Sequence, residues 1–581
     1  MTTAARRLFA LCLLAFATLP ALPAAAQEDP GFDERLNAIM APIAKTANDI
    51  VFYGVPIADG VKLPIVLAVL GLTAVFLTIY FKFINLRAFG LAFRTVKGKY
   101  SDPNAPGQIT HFQALSAALS ATVGLGNIGG VAVAISVGGP GATFWMIMMG
   151  LCGMTTKFAE CTLGVKYRRI MKDGTVKGGA MYYLRDGLKE IGLGPLGTVL
   201  AILFAIFVIG GAFGAGNMYQ ANQSYSQFAT SFPGFGGLSP DMGKLVFGSV
   251  FAVLVGLVII GGIVWIARVT AFLVPFMCGM YMLAALTIIF TNLGEVGPAF
   301  ASIFKSAFGS DAVVGGFIGV LIQGIRRAAF SNEAGLGSAP IAHAAVKTDK
   351  PASEGIVALL EPFVDTVVVC TMTALVLIIT GVWQVSGEVK PEGAKMVSAP
   401  NSTEVVRELP AGQLIHTRAG EGDFVEVIAL VSPSGIRSEE AATGWVPSAA
   451  INKKQGVEVT SLAFGSKISW FPTILTVAVI LFAFSTMISW SYYGQQGVMY
   501  LFSWLSEEKL KIPVVIYKVA FCLLTIVGCS ASLGNVLDLT DAMVFAMVVP
   551  NLIGVYLLLP VIRRETTSFL DHVKKVDRGE V

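Results

Sequence analysis

The sequence predicts an all-α protein that crosses a membrane many times and carries one small all-β insertion. The chain of 581 residues is 55% hydrophobic and only 13% charged, with a mean hydropathy of +0.72. Soluble domains have about 25% charged residues. Apolar runs of about 20 residues, the length that crosses a bilayer core, recur along the chain. One polar, turn-rich stretch interrupts them between residues 384 and 465.

The first 26 residues have the pattern of a secretory signal peptide. Arg6 and Arg7 precede an apolar stretch over residues 8–19, and three alanines before Gln27 offer an A-x-A cleavage site. Cleavage after Ala26 places the mature N-terminus in the periplasm, with residues 27–61 as a periplasmic segment. An uncleaved membrane anchor is the alternative.

Eleven apolar runs after this peptide predict eleven membrane spans. They lie at 62–84, 113–136, 142–165, 196–226, 244–262, 263–290, 313–337, 356–382, 468–492, 512–531 and 538–561. Lys and Arg residues follow the odd-numbered spans, whereas the loops at 138–141 and 227–243 have almost none. By the positive-inside rule, we expect a multi-pass protein of the bacterial inner membrane with a cytoplasmic tail at 566–581. Eight spans fall within 62–383 and three within 466–565.

The polar stretch at 384–465 predicts a periplasmic domain of short strands. Alternating runs such as "FVEVIALV" are bounded by Gly, Pro and Ser clusters, which is typical of β-strands. The pattern, especially "GWVPSAAI", resembles bacterial SH3-like domains. Such a module binds a cell-wall peptide or a protein partner. The alternative is an inert insertion between chain ends that lie close together.

The sequence does not predict an enzyme, a metal centre or a disulfide framework. No Ser/His/Asp, H-E-x-x-H or paired-carboxylate arrangement occurs in the spans, and no nucleic-acid partner is expected. The four histidines are scattered. The cysteines outside the signal peptide lie in apolar segments without a C-x-x-C pair. They are Cys152, Cys161, Cys278, Cys370, Cys522 and Cys529.

The stretch "GLGNIGG" from Gly124 to Gly130 contains G-x-G-x-x-G, the pattern of a dinucleotide-binding turn. Such a turn follows a strand, opens a helix and has an acidic residue about 20 residues later. Here a helix-like run, "HFQALSAALSA", precedes the glycines, and the next acidic residue is Glu160 on another span. This context excludes the dinucleotide site. Two interpretations of the glycines remain. They interrupt a helix that lines a cavity, or they allow close packing of helices through small residues.

A second glycine-rich segment favours the interrupted helix. The seventh span carries "SNEAGLGSAP", in which Gly335 and Gly337 follow the polar residues Ser331, Asn332 and Glu333. Interrupted spans in corresponding positions of two five-span halves of opposite orientation indicate an inverted-repeat transporter. Half-helix N-termini then bind a carboxylate, and freed carbonyls coordinate a cation. We therefore predict that both breaks form one binding site.

At these residues the chain resembles the alanine or glycine:cation symporter family. The resemblance rests on "GNIGGVAVAISVGGPGATFWMIMMGLCGMTTKFAECTLGVKYR", "FSNEAGLGSAPIAHAAVKTDK" and "FAFSTMISWSYYGQQGVMYLF". It covers about residues 50–565, except the insertion at 384–465. It implies a LeuT-like fold of ten core spans in two inverted repeats (5+5), here with one extra N-terminal span. It also implies alanine or glycine as substrate and sodium as coupling ion, with no cofactor.

The resemblance further implies site residues. "VGLGN" matches the unwound first core helix, so the amino acid contacts Gly124, Gly126 and Asn127. Sodium contacts the carbonyls of Ser120 and Val123 and the hydroxyls of Ser485 and Thr486. The remaining substrate candidates lie on the third core helix, at the second break and one turn past Thr486. They are Asn217, Gln220, Phe330, Ser331, Asn332 and Trp490. The alternative role for polar residues such as Asn127 and Gln220 is an interhelical hydrogen bond.

Charged residues within the spans must be paired, because an unpaired charge costs about 2.5–3.5 kcal/mol on the insertion scale. They are Glu160, Arg326, Arg327, Glu333, Glu361 and Asp365. We expect Glu333 to pair with one of the two arginines. A proton-coupled carrier would use such a carboxylate as its relay. Sodium is preferred because hydroxyls, not acids, occupy the matched ion positions.

The sequence thus predicts a sodium-coupled symporter of small neutral amino acids that works by alternating access. One sodium ion crossing 100 mV releases about 2.3 kcal/mol, and a tenfold gradient adds about 1.4 kcal/mol. Together they support roughly 500-fold accumulation of a zwitterion. Two alternatives remain open: a proton-coupled symporter, and a membrane receptor whose SH3-like module senses the cell wall.

Overall fold

The structure is a computed structural model that describes residues 32–580, apart from 59–60, 103, 235–236, 310–315, 401, 403, 422, 432–437 and 440–442. The predicted signal peptide lies outside the described residues. The α-helices are α1 (Phe32–Val51), α2 (Ile65–Tyr80), α3 (Ile84–Arg87), α4 (Phe89–Val96), α5 (His111–Thr122), α6 (Val131–Gly138), α7 (Ala142–Lys166), α8 (Ala180–Tyr182), α9 (Leu188–Glu190), α10 (Gly194–Phe213), α11 (Tyr219–Ser231), α12 (Pro240–Ile259), α13 (Gly262–Thr291), α14 (Leu293–Phe308), α15 (Gly316–Asn332), α16 (Pro340–His343), α17 (Pro351–Ala358), α18 (Leu360–Pro362), α19 (Thr371–Thr380), α20 (Val457–Gly465), α21 (Phe471–Leu501), α22 (Glu507–Ser530), α23 (Leu533–Ala546), α24 (Val548–Leu557) and α25 (Leu559–Asp577).

Strands and π-helical turns complete the architecture. The π-helical turns are Gly126–Gly130, Tyr183–Gly187, Gly214–Met218 and Phe363–Cys370. The strands are β1 (Gly54–Ala58), β2 (Val61–Pro64), β3 (Arg169–Ile170), β4 (Val176–Lys177), β5 (Gly387–Val389), β6 (Ala394–Val397), β7 (Val405–Leu409), β8 (Leu414–Glu421), β9 (Phe424–Val431), β10 (Ser438–Glu439), β11 (Gly444–Pro447) and β12 (Ile451–Lys453).

The described residues contain seven helices that are long and apolar enough to cross a membrane, or eight when the bent pair α5–α6 counts as one span. Each of the eleven predicted spans coincides with helix. Three of the helices, α2, α7 and α15, do not by themselves meet the combined requirement of length and apolar composition for crossing a membrane. The count of eleven and its orientation stay predictions. Large apolar side chains on outer surfaces, such as Leu72, Phe272 and Leu283, are 71%, 75% and 68% exposed. This is the arrangement expected of helices that face lipid.

The segment before the first predicted span is folded, which the sequence did not indicate. Helix α1 packs against α23, and β1 and β2 form an antiparallel hairpin that leads into α2. Between them, the ring of Phe52 contacts the ring of Phe545 at 5.2 Å and lies 4.3 Å from the Arg326 guanidinium carbon. The N-terminal segment therefore covers one end of α15 and α23.

The predicted insertion is a β-structure whose chain ends meet. Its strands form one sheet in the order β12-β5-β8-β9-β11-β6-β7, with β10 paired to β9. A small apolar core includes Met396, Ile415 and Val446. The backbone N–H of Lys454 donates to the Ser386 carbonyl at 3.0 Å, so the insertion leaves and re-enters the helical bundle at one point. Residues at the end of the predicted range form α20, which packs on the bundle.

The predicted pairing of Glu333 with an arginine is wrong. Arg326 and Arg327 both bind Asp541 of α23, at 2.8 Å and 2.6 Å. Glu333 instead accepts hydrogen bonds from Ser338 and from the Trp490 indole, the latter at 2.9 Å. The arginines lie nearly two turns before Glu333, and the chain leaves the helix at Glu333 in a left-handed conformation (φ 56°). This separation along the helix and the left-handed backbone together keep the Glu333 carboxylate away from the two arginines.

Candidate functional site

The first predicted break is present. Helix α5 ends at Thr122, Val123 has extended backbone (φ −75°, ψ 91°), and the chain resumes in the π-helical turn Gly126–Gly130. The two halves of the span meet at an angle of 51°. Asn127 stabilises the turn, because its side-chain oxygen accepts from the Gly124 N–H at 2.8 Å. A short polar side chain thus binds one of the backbone groups that the break leaves without a helical partner.

The second predicted break is also present. Helix α15 ends at Asn332, and residues between it and α16 follow a path with three left-handed positions, Glu333, Gly335 and Gly337. Such φ values favour glycine at the last two positions. The side-chain oxygen of Asn332 accepts from the Ala334 N–H at 2.9 Å. Each broken helix therefore carries an asparagine that bonds to backbone at its own interruption.

The two breaks lie against each other, and Asp365 joins them. A Cβ placed on Gly126 would lie 3.5 Å from the Phe330 ring and 3.7 Å from the Ser331 Cα. The Asp365 carboxylate accepts from the Asn127 amide at 2.6 Å and from the Ser331 hydroxyl at 2.9 Å. It also accepts from the neighbouring Thr366 hydroxyl at 2.7 Å. A buried carboxylate therefore contacts one side chain from each broken span.

Several hydroxyl and carbonyl oxygen atoms lie on the other side of the first break. The Ser120 hydroxyl donates to the Ser485 carbonyl at 2.6 Å, which ties α5 to α21. One residue further along α21, the Thr486 hydroxyl oxygen is buried without a hydrogen-bond partner among the described residues. A Cβ on Gly124 would lie only 2.5 Å from that oxygen. Hydroxyl and carbonyl oxygens are the ligands that hard cations prefer.

The remaining predicted residues divide between the site and its surroundings. Gln220 faces the first break, since its side-chain oxygen accepts from the Leu125 N–H at 3.4 Å. Trp490 lies at the second break through its bond to Glu333. Asn217 bonds α22 instead, donating to the Phe521 carbonyl at 2.5 Å and accepting from Thr525 at 3.0 Å. Asn332 donates to Thr366 at 2.9 Å.

All thirteen predicted site residues are buried, with exposed fractions of at most 8% where a value is given. A ligand from solution therefore reaches them only after neighbouring helices part. At one end of the bundle, the chain before α5 and the chain after α16 are joined by backbone hydrogen bonds, from Gln108 N–H to the Ala345 carbonyl and from Lys347 N–H to the Ile109 carbonyl, both at 2.8 Å. The described site is in a closed arrangement.

Arg168 reinforces this closed end. Its guanidinium donates to the carbonyls of Pro106 and Ala344 at 2.7 Å, to Thr348 at 2.6 Å, and to Val346. Burial among these carbonyls lowers the pKa of Arg168 to about 10. The side chain remains cationic at neutral pH and binds the segments before α5 and after α16 at once.

Sequence reasoning missed the roles of Asp365, Lys157 and Asp541. The sequence indicates Asp365 only as a charge that needs a partner and indicates no role for Lys157 or Asp541. Lys157 forms a fully buried ion pair with Glu361 at 2.9 Å. A signal was present, because ionisable residues at membrane depth mark functional positions. Which carboxylate faces which cation depends on helix packing, and the spacing along the chain does not reveal it.

Comparison with known proteins assigns the chain to one family. A family model described as the sodium:alanine symporter family matches residues 53–410 and 436–581. The sodium/alanine symporter AgcS of Methanococcus maripaludis is 37% identical over 507 residues, which cover 87% of this chain and 94% of that protein. The amino-acid carrier protein AlsT of Bacillus subtilis is 31% identical over 83% of this chain and 84% of its own. The unmatched residues 411–435 lie inside the predicted insertion.

The fold is similar to that of a solved transporter. The crystal structure of MhsT in complex with L-phenylalanine superimposes with a TM-score of 0.51, covering 79% of this chain and 92% of that one. The two sequences are 14% identical, so the likeness concerns the fold alone. It supports the LeuT-like fold predicted for the helical bundle, while the inverted repeat and the SH3-like character of the insertion stay predictions.

Proposed function

Because the chain belongs to the sodium:alanine symporter family, we propose that it imports small neutral amino acids, alanine and glycine, together with sodium by alternating access. The observation that supports this most directly is the contact between two interrupted helices at a buried carboxylate. Interrupted helices expose peptide groups, which is tolerated at membrane depth only where protein or a polar cavity surrounds them. The homologues are transporters rather than enzymes, as the sequence predicted.

In this proposal the amino acid binds where the breaks meet. Gly124 and Gly126 present backbone without side chains there, while Asn127 and Ser331 orient the Asp365 carboxylate toward both breaks. The buried Asp365 carboxylate favours a bound cation or the ammonium group of a zwitterion. Small neutral amino acids fit a site bounded by Phe330 and Trp490, because large aromatic side chains limit the space available.

The coupling ion binds beside Gly124 in this proposal. Ser120, Val123, Ser485 and Thr486 are the predicted ligands, and the unpartnered Thr486 hydroxyl is the observation on this chain that favours them. Since Gly124 lies between this oxygen cluster and Asn127, the ion and the amino acid share one stretch of backbone. Binding of one then orders the backbone that the other needs, which is the basis of coupling.

The proposal is tested by uptake of labelled alanine into proteoliposomes, with external sodium or with choline in its place. We expect uptake that depends on an inward sodium gradient and is abolished by choline. Uptake that persists in choline and follows an imposed pH gradient would identify the proton-coupled alternative. No uptake of alanine or glycine under either gradient would contradict the proposed substrate.

Replacing Thr486 by valine should weaken sodium binding selectively. Valine keeps the shape of threonine but removes the unpartnered hydroxyl. We expect the sodium concentration for half-maximal uptake to rise about tenfold, equivalent to about 1.4 kcal/mol. The matched control is Ser489→Ala, because the Ser489 hydroxyl is also buried on α21 and has no hydrogen-bond partner in the described part of the chain. Equal sodium dependence of the Thr486 variant and wild type would remove Thr486 from the ion site.

A receptor remains the second candidate because the insertion is connected to the first break. Helix α20, which follows the insertion, donates through the Thr460 hydroxyl to the Ile128 carbonyl in the π-helical turn at 3.0 Å. Gln223 accepts from the Val457 N–H at 3.2 Å. A cavity of about 240 Å³ lies between the insertion and the bundle, with Leu414 and Glu458 in its wall. A force on the insertion would reach the break through α20.

Excision of residues 387–453 tests whether the insertion is needed for transport or serves a separate receptor function. Because Ser386 and Lys454 are hydrogen-bonded neighbours, a short Gly-Ser linker can join them without strain. We expect the shortened protein, which keeps α20, to retain sodium-driven alanine uptake within about twofold of the full chain. Loss of uptake in a stably inserted variant would make the β-structure part of the carrier.

A further inference from the structure

A surface pocket lies where the first and the last predicted spans end on the same side of the bundle. Tyr80, the last residue of α2, forms part of its wall, and the polar remainder of the wall comes from α25, which follows the last span. The volume of this pocket is about 560 Å³. The positive-inside rule predicts that both spans end on the cytoplasmic side. We call it the α25 pocket, and its polar wall residues on α25 are Arg563, Arg564, Thr567, Ser568 and Asp571.

Two arginines give the α25 pocket its positive charge. The side chains of Arg563 and Arg564 are exposed, and no carboxylate oxygen of the described residues lies within 4.0 Å of either guanidinium. Neither guanidinium donates a hydrogen bond to another group in the described part of the chain. The planar fork of a guanidinium matches the oxygen atoms of a phosphate group. The pocket therefore offers unused donors to an anionic ligand that carries phosphate.

The acids near the α25 pocket do not contact these arginines, and each has a partner of its own. Asp571 in the wall binds Lys574 at 3.0 Å, and Glu565 binds Lys166 of α7 at 2.6 Å. Glu190 accepts a hydrogen bond from a tyrosine hydroxyl at 2.8 Å and lies outside the wall. The wall of the pocket, with the lysine that Asp571 binds, therefore keeps a net positive charge.

Aromatic rings connect the α25 pocket to the apolar surface of the bundle. The Tyr80 ring stacks on Phe76 at 5.7 Å, and Phe76 contacts the Tyr556 ring of α24 at 5.5 Å. The side chains of Phe76 and Ile79 are 41% and 60% exposed, and Tyr556 is 38% exposed. Tyrosines at the end of apolar helices are typical of the membrane interface. A ligand that fits both parts has a phosphate group at one end and long apolar chains at the other.

We propose that the α25 pocket binds one anionic phospholipid of the cytoplasmic leaflet. Its phosphate lies against the guanidinium groups of Arg563 and Arg564, with the Ser568 hydroxyl as a further donor, and its acyl chains lie along α2 and α24. The Thr567 hydroxyl is already used, since it donates to the Arg563 carbonyl at 3.0 Å. Basic pockets beside membrane helices recognise lipid headgroups in this way. Since α25 packs against α7 and α17, the bound lipid joins this helix to the first span.

The test measures lipid binding to the full chain in detergent by native mass spectrometry. We expect wild type to bind one phosphatidylglycerol more tightly than phosphatidylcholine with the same acyl chains. Each arginine near an anionic headgroup strengthens binding about fivefold, so Arg563→Gln with Arg564→Gln should weaken phosphatidylglycerol binding about 25-fold. Both guanidiniums lack partners among the described residues, so this double variant loses no bond that the described structure shows.

The matched control is Lys575→Gln with Arg578→Gln, which also removes two positive charges. Lys575 lies 11 residues after Arg564 on the same helix, about 16 Å away, and neither control residue lines the pocket. We expect this variant to bind phosphatidylglycerol within about twofold of wild type. Amide hydrogen exchange in nanodiscs locates the lipid. Residues 563–568 of wild type should exchange more slowly with phosphatidylglycerol present than in phosphatidylcholine alone, and the arginine variant should not show this difference.

Equal affinity of wild type and the arginine variant for phosphatidylglycerol overturns the proposal. Equal affinity of wild type for phosphatidylglycerol and phosphatidylcholine overturns it as well, because the pocket would then not select negative charge. Inorganic phosphate is added in a third titration at matched ionic strength. Displacement of the lipid by inorganic phosphate would identify a site for a soluble phosphate and reject a lipid. None of these measurements uses alanine uptake, so the lipid site and the proposed transport function are tested separately.

Discussion

Replacing Asp365 by alanine should reduce sodium-driven alanine uptake by about 100-fold. The substitution removes the acceptor of Asn127, Ser331 and Thr366 at once. A buried donor that loses its partner costs about 1–3 kcal/mol, so two such losses cost about 2–6 kcal/mol, a range that includes the about 2.8 kcal/mol of a 100-fold change. Because Asp365 bridges the two breaks, the loss affects the alignment of one broken helix against the other. Uptake into proteoliposomes at saturating sodium measures the effect.

Asp365→Asn separates the charge from the geometry. Asparagine keeps one acceptor oxygen for Asn127 or Ser331 but removes the negative charge. We expect membrane insertion and thermal stability close to wild type, with a KM for alanine or a half-maximal sodium concentration raised about tenfold or more. Whichever of the two rises shows whether the carboxylate serves the ammonium group or the coupling ion. Wild-type kinetics in Asp365→Asn would show that the charge takes no part in transport.

The second large effect is expected for Gly124→Ala. A Cβ at this position would lie 2.5 Å from the Thr486 hydroxyl and 3.5 Å from the Gln220 side-chain oxygen. Overpacking of this kind costs about 1–3 kcal/mol, and the displaced hydroxyl is the one proposed to bind sodium. We expect uptake to fall by about 10- to 100-fold at subsaturating sodium, with partial recovery at high sodium.

Gly130→Ala is the matched control for this prediction. Gly130 belongs to the same interrupted span, but a Cβ there would lie within 4 Å of no described heavy atom beyond its own helical turn and chain neighbours. Alanine also forms helix more readily than glycine. Transport within about twofold of wild type is therefore expected. A similar loss of uptake in both variants would point to general sensitivity of the glycine-rich segment rather than to the contact with Thr486.

The interruptions could be predicted because they are local features. Gly124, Gly126 and the pair Gly335 and Gly337 interrupt helices that are otherwise apolar, and polar residues stand beside them where lipid would not tolerate them. These signals lie within a few residues of one another. The same reasoning failed for Glu333, because its nearest cations along the chain, Arg326 and Arg327, bind a carboxylate more than 200 residues away.

By itself, the sequence determined the class of the protein, the positions of its apolar helices, the two breaks and the β-structure between α19 and α20. Each follows from composition or periodicity, which act over a single element. Only the tertiary structure decided that Asp365 joins the breaks, that Arg168 binds the segments at one closed end, and that Asn217 bonds α22. These contacts depend on how distant helices pack, because partners for buried charges are chosen by proximity in space rather than along the chain.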